Sequence, residues 1–224
     1  MSQLPPTTPS TPASVFRFGS FSKARLEAFS DGVFAIIVTL LVLELGVPHI
    51  ENTQSVAELA AALIALVPKF ISWVISFAIV CVIWLNHHRV LDQFRGVNNG
   101  IFWMNALLLL GVSFIPFPTA LLGDYPSNPL AVSFFGIALA LMGLAFVAIR
   151  AYALTHRDLF KEGVDIAAFK AGTWRTLIFG PLLYVAGAAV AWLAPVLAFA
   201  IYAFIPIYFI FPRDVRSANT GVRA

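Results

Sequence analysis

Apolar residues gather along this chain in six long blocks, roughly 25–45, 63–87, 100–122, 130–154, 174–193 and 195–211. A helix needs about 20 mostly apolar residues to cross the hydrocarbon core of a bilayer, and each block comes near that length. None shows the alternating polarity of a membrane barrel strand. The pattern therefore predicts an all-α membrane protein with six transmembrane helices. Only Ala194 separates the last two blocks, so they should form a tight helical hairpin. Trp73, Trp103, Trp174 and Trp192 fall near block ends, where interfacial aromatic belts occur. Gly180-Pro181 and Pro206 are placed to bend the fifth and sixth helices. Gly136, Ala140 and Gly143 make a small-residue stripe suited to helix packing in the fourth.

The segments outside these blocks divide the chain simply. Residues 1–22 carry four prolines among Ser and Thr and no apolar signal-peptide core. They read as a disordered tail, so the first helix is expected to act as the targeting signal. Residues 23–212 form the six-helix transmembrane domain, and 213–224 a short C-terminal tail. The longest loop, 155–173, reads as an amphipathic or irregular connector. There is no soluble domain and no strong internal repeat, which weighs against the inverted-repeat transporter designs.

Composition supports lipid as the solvent: 60% of the 224 residues are hydrophobic and 11% charged, against about 25% charged in soluble chains. The net charge of +3 is small, but its placement sets the orientation. Arg17, Lys23 and Arg25 precede the first helix, and Arg89 and Arg95 lie between the second and third. Arg150, Arg157, Lys161, Lys170 and Arg175 surround the 155–173 loop, and Arg213, Arg216 and Arg223 follow the sixth helix. The positive-inside rule then puts both termini in the cytoplasm of a multi-pass plasma-membrane protein. Lys69 is the exception and is expected to snorkel to the outer interface. The outer side carries Glu44, Glu51, Glu58 and Asp124; these either draw cations to an external mouth or simply solvate loops. The single cysteine, Cys81, excludes an internal disulfide and a cysteine-based metal site.

The first helix holds the unusual chemistry. Asp31, beside Ser30, sits a turn and a half inside it. A carboxylate at that depth needs a partner, and Arg25, His87 and His88 are the candidates. At about 100° per residue, Ile36, Leu40 and Leu43 share one narrow face with Thr39 at its edge, while Asp31 points about 140° from Ile36. One side of the helix can therefore line something while the other is fastened to neighbours. On spacing alone, the plainer reading of that face as lipid-facing or core is favoured. His87 and His88 are adjacent and diverge by about 100°, a poor arrangement for a shared metal. One is expected in a polar network and the other at an interface.

Arg25-x-x-x-Phe29-Ser30-Asp31, followed by Gly32-Val33-Phe34-Ala35-Ile36 and Thr39-Leu40-Leu41-Val42-Leu43, resembles the signature of the endosomal and lysosomal potassium channel family of transmembrane protein 175 type, in its bacterial branch. Trp84-Leu85-Asn86-His87-His88 and the stretch from Asn105 through Ser113-Phe114-Ile115-Pro116-Phe117-Pro118-Thr119 add to the likeness. The resemblance implies a non-P-loop channel, and this sequence has no Thr-Val-Gly-Tyr-Gly run. It implies a homotetramer in which the first helices surround a central pore constricted by Ile36, Leu40 and Leu43. Thr39 matches a hydroxyl linked to cation preference. Arg25, Phe29, Ser30 and Asp31, with Trp84, His87 or His88, and Asn105, resemble a packing and hydrogen-bond network.

The function expected from this likeness is a potassium-permeable cation channel gated by dewetting at an apolar ring. Its partners are other copies of itself, membrane lipid and potassium ions. No cofactor, metal or nucleic acid is expected. The alternative is a secondary transporter, possibly proton-coupled through Asp31 and a histidine, but the blocks offer few polar groups at mid-membrane. An enzyme is not expected, since HExxH, GxSxG and paired cysteines are all missing.

Overall fold

The computed structural model describes residues 22–210. Apart from Ser22, the expected tails 1–22 and 213–224 lie outside these residues, as do Arg17 and Phe211. The described chain is nearly all helix: α1 (Lys23–Leu40), α2 (Val56–Ala65), α3 (Val67–Asp92), α4 (Asn99–Phe114), α5 (Pro116–Asp124), α6 (Pro129–Thr155), α7 (Ile166–Leu177), α8 (Leu183–Val190) and α9 (Pro195–Ile210).

Polar residues set four of the helix starts. Ser55, Asn98, Asn128 and Asp165 each accept a bond from a backbone N–H in the first turn of α2, α4, α6 and α7. Glu58 reaches back from α2 to accept from the Asn52 N–H at 3.1 Å, close to a capping box. Proline sets the internal breaks. Pro68 follows the α2–α3 junction, and Pro116 opens α5 after α4, because each lacks the N–H that a continuous helix needs. Pro181 lies within a π-helical turn, Ile178–Leu182, that joins α7 to α8. The first span ends in a 3-10 turn, Leu41–Leu45. Gly46 stops it at φ 59°, a backbone region that disfavours side chains.

Five stretches are long and apolar enough to cross a membrane: Lys23–Leu45, Val67–Asp92, Asn99–Asp124, Pro129–Thr155 and Ile166–Val190. The expected sixth, α9, has 16 described residues. That is about 24 Å at about 1.5 Å per residue, short of a core about 30 Å thick. The second span begins and ends later than the sequence pattern suggested, so His87 and His88 sit inside α3 rather than at its end. The fifth starts at Ile166, eight residues before the expected 174, because Asp165 caps it and Phe169 and Thr173 bury against the neighbouring span. The rest of the expected connector holds a short 3-10 turn, Arg157–Leu159, and one antiparallel bridge, Phe94 to Phe160. Residues 191–194 make the tight hairpin into α9, closed by Ala194 N–H to the Val190 carbonyl at 2.8 Å.

The fourth span, α6, is the hub, in contact with α4, α5, α7, α8 and α9. Its small-residue stripe explains this. Gly136 faces the Tyr202 ring from α9, and a methyl on Gly143 would lie 3.0 Å from Pro181 Cγ. Two buried hydroxyl contacts join the spans: Ser76 and Thr119 connect α3 to α5 at 2.7 Å, and Ser133 donates to the Ala188 carbonyl at 2.7 Å. Lys69 makes a 2.6 Å ion pair with Asp124. Two of the four carboxylates expected on the outer side, Glu58 and Asp124, are thus engaged in local structure.

The glycine stripe generates a packing prediction. Gly143→Leu overfills the contact with Pro181 and should cost about 1–3 kcal/mol, seen as a lower midpoint in thermal unfolding of the purified protein. An unchanged midpoint would mean that α6 and the Pro181 turn are not in close contact.

Candidate functional site

The first span divides into two faces. Leu26, Ser30, Phe34, Ile37 and Leu41 are buried at the three- and four-residue spacing of one helix side. This side packs on α3 and α4. The opposite side carries Arg25, Phe29, Gly32, Ile36, Thr39, Leu40 and Leu43, all exposed. Ile36 is 58% exposed, Leu40 40% and Leu43 70%. Of the five long spans this one buries the smallest share of its apolar window, 28%, against 56% for α6.

A directional chain of hydrogen bonds fixes the buried face. The Ser30 hydroxyl donates to the Leu26 carbonyl at 2.8 Å. Asn105 Nδ2 on α4 donates to Ser30 Oγ at 3.0 Å. Asn105 Oδ1 lies 2.7 Å from His87 Nε2 on α3. An amide oxygen only accepts, so the His87 proton sits on Nε2. Ser30, His87 and Asn105 are all buried, and each is bonded to another member of the chain. The Phe34 ring rests on the His87 imidazole, with centroids 5.6 Å apart.

A second anchor lies one residue along. Asp31 Oδ1 accepts from Trp84 Nε1 on α3 at 2.8 Å, and the Trp84 ring stacks on His88. The partner of Asp31 is thus the indole rather than Arg25 or either histidine. His87 joins the buried network, and His88 stays exposed beside Trp84. The structure does not bring Arg25 or Phe29 into these bonds; both are exposed. Thr39 turns its hydroxyl back to its own helix, donating to the Ile36 carbonyl at 2.8 Å.

Sequence reasoning missed the Ser76–Thr119 pair and the role of Phe34. The sequence carried a signal for the first: two hydroxyls within otherwise apolar blocks, where a polar side chain needs a partner. Among the described residues, no group of three or more His, Cys, Asp or Glu side chains is placed to hold a metal ion.

Comparison with known proteins places this arrangement. The sequence model described as "Endosomal/lysosomal potassium channel TMEM175" matches residues 25–116, which hold α1, α3, α4 and both anchors. A potassium channel of Chamaesiphon minutus is 38% identical over 189 residues, 83% of this chain and 92% of that one. The human endosomal/lysosomal proton channel TMEM175 is 37% identical over 113 residues, 47% of this chain and 22% of its own length. The crystal structure of a lysosomal potassium-selective channel TMEM175 homolog from Chamaesiphon minutus superimposes with a TM-score of 0.74 at 35% identity. It covers 84% of this chain and 96% of that one. Likeness in sequence and fold over most of both chains identifies this chain as a member of the TMEM175 family, a family of ion channels and not of enzymes.

Proposed function

We propose that this chain is a potassium-permeable cation channel whose pore is formed by the first spans of four identical subunits and closed by Ile36, Leu40 and Leu43. The observation that carries the reading is the open face of α1. The least buried of the long spans turns these three large apolar side chains away from its own subunit. The same face carries Ala28, Gly32 and Ala35, small enough to let several copies approach a common axis. The similarity to a bacterial protein named as a potassium channel supplies the permeant ion.

In this reading, four Ile36 or Leu side chains form a ring that sheds water, and a cation passes when the ring widens. Apolar walls offer no fixed oxygen cage, so selectivity is modest. Thr39 borders the ring and tunes cation preference. The Ser30–Asn105–His87 chain and the Asp31–Trp84 bond are positioning elements that hold α1 at one rotation. Both termini face the cytoplasm of the plasma membrane, and Glu44 and Glu51 lie at the outer mouth. A carrier is less well supported, because the buried hydroxyls of Ser76, Thr119 and Ser133 inside the spans are already engaged within the fold.

Three tests follow from this geometry. Single-channel recording of purified protein in planar bilayers, with potassium and sodium on opposite sides and a pH gradient as a separate condition, should give ohmic currents that reverse toward the potassium potential. Carrier-like turnover or reversal at the proton potential would reject the assignment. Ile36→Asn should raise single-channel conductance severalfold and blunt selectivity; unchanged currents would remove Ile36 from the constriction. Asn105→Ala leaves the His87 imidazole without its acceptor and should cost about 1–3 kcal/mol, as should Asp31→Ala through the loss of its bond to Trp84. Both should lower thermal stability and tetramer yield, whereas a stable tetramer with altered permeation alone would contradict the positioning role.

A further inference from the structure

Arg150, five residues before the end of α6, is buried. Its Nε donates to Thr173 Oγ1 at 3.1 Å, and one Nη2 hydrogen goes to the Phe169 carbonyl at 3.0 Å. The Thr173 hydroxyl in turn donates to the same carbonyl at 2.9 Å. The guanidinium lies over the Phe169 ring, 4.3 Å from its centroid. These contacts hold the group in place, but among the described residues no carboxylate answers its charge. Among the described residues the ion pairs are Lys23–Glu27, Lys69–Asp124 and Lys161–Asp92, and none includes Arg150. Two bonds also use only two of the five N–H donors that an arginine carries.

A second cation faces it. A methyl placed on Gly172 of α7 would lie 2.8 Å from Arg150 Nη2 and 4.0 Å from Arg175 Nη2. Two guanidinium groups therefore converge over a glycine, whose missing side chain lets Arg150 lie against the α7 backbone. Burying an unpaired cation next to a like charge is costly, and an anion seated between the two relieves both penalties. Arginine forks match phosphate oxygens in pairs. The position fits a membrane boundary. Arg175 and its neighbour Trp174 are exposed, and the same end of the bundle carries Arg89, Arg95 and Arg157. Tryptophan beside arginine is the pairing expected at headgroup depth.

We propose that Arg150 and Arg175, converging over Gly172, form a binding site for a phosphate group, filled by the headgroup of an anionic phospholipid at the end of the α6–α7 pair. The site is separate from the proposed pore face and does not depend on it. The bound phosphate adds to the bridge that Arg150 already makes from α6, the hub of the fold, to α7.

Thermal unfolding of the purified full-length protein in a neutral detergent tests this. Phosphatidylglycerol in mixed micelles should raise the melting temperature by about 5 °C at saturation, and phosphatidylcholine should not. If sodium phosphate at matched ionic strength gives the same rise, the occupant is a free anion; a rise with phosphatidylglycerol alone identifies the lipid. R175Q alters an exposed side chain and should raise the half-saturating lipid concentration about tenfold. R157Q, at the same end, should leave it unchanged. R150Q tests the buried member, and should it fail to fold, R175Q decides alone. No response to either anion overturns the site. So does a wild-type response in R175Q, or an equal loss in R157Q, which would mark a diffuse basic surface.

Discussion

The rotation of α1 about its own axis is the constraint on which the rest depends. A helix so apolar has no strong preference, from its own residues, for which side meets its neighbours. Three polar side chains from three different spans settle it. Ser30, Asn105 and His87 lie out of contact with water, and each has its bonds only if α1, α3 and α4 meet at one angle. In a low-dielectric interior an unmade hydrogen bond is expensive. The Asp31–Trp84 bond repeats the condition one residue further on. With Ser30 turned inward, helical geometry leaves Ile36, Leu40 and Leu43 no choice but to point away.

This separates two tasks along one short segment. The polar residues at the head of α1 secure it to α3 and α4, and the large apolar residues Ile36, Leu40 and Leu43 remain exposed. A charged or hydroxylated residue in a channel helix is easily taken for a filter element. Here the hydroxyl of Ser30 accepts from Asn105 and one oxygen of the Asp31 carboxylate accepts from Trp84, so both residues are bonded to neighbouring spans of the same chain. The proposed conduction pathway is left to side chains with no hydrogen-bonding capacity, and such a surface controls ions through hydration rather than coordination.

Much of this was legible in the residues. The apolar blocks located the long spans, because the thickness of a bilayer sets a length that no soluble helix requires. The separation of Ile36 from Asp31 around the helix followed from its pitch. Trp84, His87 and Asn105 were recognisable as partners through likeness to a known motif. The choice between His87 and His88 was not legible, since two neighbours on a helix differ only in direction and the packing of α3 against α4 decides which is enclosed. The start of the fifth span was misplaced for a related reason. Lys170 and Arg175 gave residues 166–173 the look of a loop, yet Asp165 caps a helix there and Phe169 and Thr173 are drawn inward by Arg150.

What the sequence determined by itself is the membrane character, the positions of the long helices and the two-sidedness of the first, because these rest on local hydrophobicity and on the fixed period of a helix. What the tertiary structure decided is which polar group meets which. The bond from Trp84 to Asp31, the enclosure of His87, the Lys69–Asp124 pair and the convergence of Arg150 and Arg175 on Gly172 join residues far apart in the chain. Local preferences carry no information about such pairings. They exist only once several helices share one interior and each buried polar atom must find its partner there.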